Sequence, residues 1–281
     1  MERIGVLAVV LVLSLLSAGC PSSGGGSSST GSATIVYRAD QTIDTVAELF
    51  FVSSGAKLNP ALALPQTVQA FALTPDKNAV VYIADQDTPG VFEIYRVFLA
   101  SPGVSTKLNP TGAGGISGSK DVLGFKMIPD GTGVVYLADQ TTDGINELYL
   151  VRFATPGVTT KLNGALTTNG NVVEFDVTAN SGRVVYRADQ DIDTVFELYQ
   201  NTLSSVGTAT KILPTNYVVG QSVSSFKLLP NSTGALYLAN QTTNTVVDLY
   251  QSIFGGVLGA TVNHSLVAFG NVFDFAVSPD S

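Results

Sequence analysis

Residues 184–199 read VVYRADQDIDTVFELY and carry oxygen ligands at Asp189, Asp191 and Asp193, with Glu197 four residues on. Carboxylates on alternate residues are the ligand type and spacing from which loops hold a hard cation such as calcium, although Thr194 stands where such loops turn on a glycine. Two other readings fit the same acids. An aspartate at the start of a hairpin accepts backbone N–H groups and fixes the turn, and a rim of acids steers a basic partner. Catalysis is poorly served. His264 is the only histidine, which excludes a multi-histidine zinc site, and Ser265 beside it lacks the orienting acid of a triad. Carboxylate pairs hydrolyse glycosides, but every acid cluster here recurs along the chain, whereas an active site breaks repeat symmetry. Gly112, Gly114 and Gly115 have no helix after them and so form no phosphate cradle. Tryptophan is absent, which weakens a sugar platform, and a net charge of −8 without a basic face excludes nucleic acid. The expectation is a non-enzyme without a required cofactor, calcium being the one ion its acids suit.

The acids sit at fixed places in an internal repeat, so architecture comes first. Tyr37, Tyr82, Tyr136, Tyr186 and Tyr237 end aliphatic runs at spacings of 45, 54, 50 and 51 residues. Ala-Asp-Gln follows each, with Asn240 replacing the aspartate in the last copy. Then come a Glu-Leu-Tyr-like triplet beginning at Glu48, Glu93, Glu147, Glu197 or Asp248, a Lys-Leu or Lys-Ile pair at Lys57, Lys107, Lys161 and Lys211, and a Val-x-x-Phe run ending at Phe71, Phe125, Phe175, Phe226 or Phe275. β-branched and aromatic residues punctuated by Gly, Pro and Asx predict four short strands per unit. Charged residues are only 13 % of the chain, too few for helical surfaces, and 45 % hydrophobic content supports a full core. Four-stranded units of this length are the size of propeller blades.

The run from Pro129 through Tyr136, with Glu147-Leu148-Tyr149 and Lys161-Leu162-Asn163, resembles the repeats of TolB-type, WD-like β-propellers. The resemblance extends over residues 33–281 and implies an all-β propeller used as a binding platform. Counting strands gives five four-stranded blades, closed by residues 272–277 pairing beside residues 35–39. Hairpins of such a ring share one face, which would gather Asp40, Asp44, Glu48, Asp85, Asp87, Glu93, Asp139, Asp143, Glu147, Asp189, Asp191, Asp193, Glu197 and Asp248 around one rim. On that face the long loop 109–121 departs most from the repeat, and its Gly112, Gly114, Gly115, Ser117 and Ser119 are the candidate partner-binding residues. Near the axis, Lys126, Asp176 and Lys227 occupy equivalent positions, with Glu174 and Asp274 two residues earlier. They predict either ion pairs between blades or a polar channel holding a small ligand.

The N-terminus supplies an address. The apolar run of 13 residues from Ile4 to Leu16 is short for a membrane span and suits a signal-peptide core. Leu16-Ser17-Ala18-Gly19-Cys20 resembles the bacterial lipobox, which implies cleavage after residue 19 and acylation, palmitate included, of Cys20, the only cysteine. Residues 20–32, rich in Ser and Gly, read as a flexible tether. The expectation is a monomeric, lipid-anchored protein of the bacterial cell envelope whose propeller binds another envelope protein. The rival is a calcium-dependent or sugar-binding propeller, or a propeller enzyme.

Overall fold

A computed structural model describes residues 33–279 apart from 113, 215 and 216. The signal-peptide, tether and Cys20 expectations lie outside these residues. Eighteen strands and no helix make up the described chain. The first sheet pairs β1 (Val36–Ala39) with β2 (Glu48–Phe51), and a single bridge from Phe50 to Lys57 extends it. Four antiparallel four-stranded sheets follow in chain order. They are β3 (Val68–Leu73), β4 (Ala79–Ala84), β5 (Glu93–Phe98) and β6 (Ser105–Lys107); β7 (Val122–Met127), β8 (Gly133–Ala138), β9 (Glu147–Arg152) and β10 (Thr159–Lys161); β11 (Val172–Val177), β12 (Arg183–Ala188), β13 (Glu197–Thr202) and β14 (Thr210–Lys211); and β15 (Val223–Leu228), β16 (Gly234–Thr243), β17 (Val246–Ile253) and β18 (Ala260–Thr261). Each strand pairs with its sequence neighbour, the arrangement that short hairpin connections impose.

Central strands are buried on both faces, which explains their unbroken aliphatic runs: all six residues of β4 are buried. The core divides into layers between successive sheets. Val81 and Ile83 pack with Val134 and Tyr136, Val135 and Leu148 with Val184 and Tyr186, and Val185 and Leu198 with Ala235 and Tyr237. Leu49 packs against Val80 and Tyr82 in the same way. At about 25 cal/mol per Å² these layers are the dominant force holding sheet on sheet.

A backbone bond links each sheet to the next. The N–H of Val68, Val122, Val172 and Val223, the first residue of each inner strand, donates to Ala47, Phe92, Asn146 and Phe196 of the preceding sheet at 2.8–2.9 Å. A register shift follows in every inner strand, between Val68 and Ala70, Val122 and Gly124, Val172 and Glu174, and Val223 and Ser225. Such bulges sharpen local twist. Contacts among β7, β11 and β15 place the inner strands side by side.

The expected closing ladder is not formed among the described residues. β1 pairs only with β2, and 272–277 lies outside any strand. Phe275 is held by other bonds: its N–H donates to the Asp274 carboxylate at 2.7 Å, and its carbonyl accepts from the ammonium of Lys227 in β15 at 2.5 Å. Among the described residues the expected ion pairs between blades are realised once, by Lys126 and Asp176 at 3.3 Å, with both side chains about half exposed. Glu174 turns to Arg187 of its own sheet at 3.0 Å.

Candidate functional site

The recurring tyrosine lies in the strand that leads into each hairpin, β1 in the first sheet and the second strand of the other four. Its ring stacks on the aromatic ring of the next strand, in the pairs Tyr37–Phe50, Tyr82–Tyr95, Tyr136–Tyr149, Tyr186–Tyr199 and Tyr237–Tyr250, with centroids 5.4–5.5 Å apart. Its hydroxyl donates to the glutamine four residues on, at 3.0, 2.7, 2.5, 2.8 and 3.0 Å from Gln41 to Gln241. Burial raises the hydroxyls of Tyr82, Tyr136, Tyr186 and Tyr237, the last to about 12, so these donors stay protonated at neutral pH. Gln is thus the hydrogen-bond partner that the buried Tyr requires.

The aspartate before that glutamine clamps the hairpin. In Asp85, Asp139 and Asp189 one carboxylate oxygen accepts the N–H just before the inner strand, from Thr67, Asp121 and Asn171, at 2.5–2.6 Å. The other accepts the N–H five residues on, from Gly90, Gly144 and Thr194, at 2.8–3.0 Å. Asn240 keeps the first bond, to Ser222, but its amide donates to the Gly220 and Asn244 carbonyls. The amide thus reverses the second interaction from acceptor to donor, and β16 and β17 run on into a longer hairpin. Gly90 and Gly144 occupy the left-handed region at φ 77° and 75°, whereas Thr45 and Thr194 hold the same place at 69° and 66°. A β-branched side chain there is strained. Thr194→Gly is therefore expected to raise the unfolding free energy by about 0.5–1 kcal/mol, as read by chemical denaturation.

A second network, deeper in each sheet, was not recognised from the sequence. Glu93 accepts both its salt-bridge contacts from Lys107 at 2.7 Å, one bond from the Tyr95 hydroxyl at 2.9 Å and one from Asn109 at 3.1 Å. Glu147 repeats it with Lys161 at 2.8 Å and Tyr149 at 2.6 Å, and Glu197 with Lys211 at 2.7 Å and Tyr199 at 3.0 Å. Burial pushes the Glu147 carboxyl up, but Lys161 and the Tyr149 and Thr141 hydroxyls outweigh it and hold its pKa below the usual range. The signal was present: Glu-x-Tyr places its two side chains on one face of a strand, and Lys-x-Asn does so on the adjoining segment at Lys107 and Lys161, with Leu213 replacing the asparagine after Lys211. The first sheet shows the cost of departure. Phe50 stands where the others have tyrosine, and Oε2 of the fully buried Glu48 has no hydrogen-bond partner. Phe50→Tyr is expected to supply the missing donor and stabilise the chain by about 1 kcal/mol, measured as a rise in unfolding midpoint.

These bonds disperse the candidate metal ligands. Asp189 spends both oxygens on backbone N–H groups, Asp191 meets Lys211 at 2.8 Å, and Glu197 accepts from Lys211, Tyr199 and the Tyr217 N–H. Asp193 is exposed, and its backbone carbonyl takes the Thr194 hydroxyl. Among the described residues no three His, Cys, Asp or Glu side chains converge to hold a metal. The acidic rim is correspondingly thinner than expected: Glu48, Asp85, Glu93, Asp139, Glu147, Asp189 and Glu197 are buried. Asp40, Asp44, Asp87, Asp143, Asp191 and Asp193 remain exposed on that face. His264 is exposed as well.

The 109–121 loop stands on a fixed base. Ile116 is buried in the layer between the second and third sheets. Gly115 is buried where a Cβ would lie 2.4 Å from the Pro110 carbonyl oxygen, so only glycine fits. Ser119 donates to Asp143 at 2.7 Å, and Lys120 donates to the carbonyls of Gln140 and Thr141 at 3.2 Å. Gly112, Gly114, Ser117, Gly118 and Ser119 are left exposed above it.

Solved structures share the fold. Prolyl oligopeptidase B from Galerina marginata superposes with a TM-score of 0.54 at 10 % identity, over 80 % of this chain and 35 % of its own. A structure from a study of two prolyl endopeptidases superposes with a TM-score of 0.51 at 13 % identity, over 78 % of this chain and 32 % of its own. The fold is a β-propeller. The chain spans about a third of the length of these peptidases, and at such identity the likeness concerns the propeller alone. A protein described as TolB from Agrobacterium tumefaciens aligns over 82 % of this chain and 69 % of its own, with a TM-score of 0.45 and 15 % identity. No protein-family model matches the chain, and no curated protein does.

Proposed function

We propose that the chain is a lipid-anchored protein of the bacterial cell envelope whose propeller is a non-catalytic module for binding another envelope protein. One observation carries this reading: the recurring acids that sequence alone offers for chemistry have internal partners, while the loop least like the repeat presents exposed small and polar residues on a buried base. A rigid scaffold displaying one irregular loop is a common design for recognition. The leader and Cys20 supply the anchoring part. The test is a photo-crosslinking amino acid placed at Ser117 in the full-length chain within intact cells, with Thr208 on the opposite loops as control. A discrete adduct from Ser117 alone supports the proposal; no adduct, or the same adducts from both sites, overturns it. Cys20→Ser is expected to move the chain out of the membrane fraction.

A further inference from the structure

The fourth sheet departs from the other copies at residues that meet in one place. Arg183 opens β12, where Ala79, Gly133 and Gly234 open the corresponding strands. Asn201 is the fifth residue of β13, where β5 and β9 carry Val97 and Val151. Thr208 stands three residues before Lys211, a place held by Val104 before Lys107 and by Val158 before Lys161. Asn201 redirects its loop. In the second and third sheets the loop glycines Gly103 and Gly157 donate their N–H to the Leu58 and Leu108 carbonyls of the preceding sheet, at 2.8 and 3.0 Å. In the fourth sheet the Asn201 amide does this instead, donating to the Leu162 and Gly207 carbonyls at 2.9 Å while its oxygen accepts the Gly207 N–H at 3.2 Å. The loop is thus held to its own sheet. A pocket of about 160 Å³ opens where it meets the start of β12 and the end of β13, and the hairpins lie at the other end of the strands.

Donors line this pocket and no carboxylate does. The Arg183 backbone is fixed by the buried Thr178, whose Oγ1 accepts its N–H at 3.0 Å. Its guanidinium lies 5.5 Å from the centre of the Phe254 ring and donates from Nη1 to Gln200 Oε1 at 3.2 Å. That leaves Nε, Nη2 and the Gln200 amide nitrogen as donors, with the Thr208 and Thr210 hydroxyls beside them. None of the ion pairs among the described residues uses Arg183, so its charge has no counter-charge there. A cation finds no anionic ligand in such a pocket, whereas a guanidinium fork with hydroxyls at its side suits an oxyanion. Sites for drug-sized ligands measure about 300–1,000 Å³, so this volume restricts the ligand to a small ion. We propose that the pocket binds a small tetrahedral oxyanion of the inorganic phosphate type. Arg183 supplies the charge and the fork, Thr208 and Thr210 orient the remaining oxygens, and Asn201 holds the loop that closes the site.

Isothermal titration of the full-length chain with inorganic phosphate at neutral pH, ionic strength being held with sodium chloride, tests the site. The variants borrow residues that other copies already carry. Arg183→Ala takes the residue at Ala79, and Thr208→Val that at Val104 and Val158. Lys77→Gly, a control in the second sheet, takes that at Gly131, which has the same left-handed turn conformation. Saturable binding of one phosphate per chain is expected. Arg183→Ala should weaken it at least tenfold and Thr208→Val about two- to tenfold, with Lys77→Gly unchanged. Acetate should bind at least tenfold more weakly than phosphate, because a planar carboxylate that fills the fork has no oxygen left for the threonines. Thr208 is exposed, so its variant reads the site even if Arg183→Ala fails to fold. Absence of saturation at millimolar phosphate overturns the proposal. So does affinity that survives Arg183→Ala or Thr208→Val, which places the ion elsewhere, and so does equal affinity for acetate, which reduces the site to a bare charge.

Discussion

Glu197→Ala is expected to lower the unfolding free energy by about 3–5 kcal/mol, a loss of roughly 10 °C in midpoint, while Asp193→Ala changes it by less than about 0.5 kcal/mol. The two acids are four residues apart and indistinguishable as oxygen ligands, so the contrast follows from burial and partners alone. Glu197 is 1 % exposed and accepts from the Lys211 ammonium, the Tyr199 hydroxyl at 3.0 Å and the Tyr217 N–H at 2.9 Å. Removing it strands a hydroxyl and a backbone donor in an apolar layer, where each lost partner costs about 1–3 kcal/mol. Asp193 faces water and loses little. Equilibrium denaturation of the two variants settles the comparison; equal losses would mean that Asp193 has a role the structure does not give it.

Asp189→Ala is expected to cost about 3 kcal/mol, through two charge-assisted bonds worth about 1.5–3 kcal/mol each, less what water recovers at the turn. Asp189→Asn should cost about half as much, since the amide keeps the acceptor for the Asn171 N–H at 2.6 Å but turns a donor toward the Thr194 N–H. The fifth hairpin supports this estimate. With Asn240 in the same place the chain does not hold that loop: β16 and β17 run on to pair Thr243 with Val246, and the Asn240 amide donates to the Gly220 and Asn244 carbonyls. Hydrogen exchange at residues 190–196 checks the locality of the effect: protection there should fall first, with the centre of β12 unchanged until global unfolding.

The strands were legible because their signal is local. Alternating and fully apolar runs ended by Gly, Pro and Asx punctuation specify strand and turn without reference to the rest of the chain. The hairpin role of Asp85, Asp139 and Asp189 was legible for the same reason, because an acceptor at a fixed offset from a turn bonds the nearest N–H. The distribution of burial among the acids was not. Whether a carboxylate points into a layer or into water depends on its place in the sheet: Glu93 in β5 is buried and Asp87 in the preceding hairpin is exposed, although both meet Lys107 at 2.7 Å. The candidate metal set failed to converge for this reason: alternation along residues 189–193 is an attribute of the chain, but the ligands' partners lie on other strands. The loop residues Gly112, Gly114, Ser117 and Ser119 were identifiable by their departure from the repeat, and only three dimensions revealed that Gly115 and Ile116 are buried parts of its base.

In the proposed function the recurring acids hold the propeller together and leave recognition to its irregular loop. Thermal unfolding of the full-length chain with millimolar calcium, and again with a chelator, tests it most directly. An unchanged midpoint is the predicted result, because the carboxylates of Asp189, Asp191 and Glu197 already have protein partners. A calcium-dependent rise that Asp191→Asn abolishes would contradict the claim, since any ion that binds the folded chain alone must raise its stability by mass action.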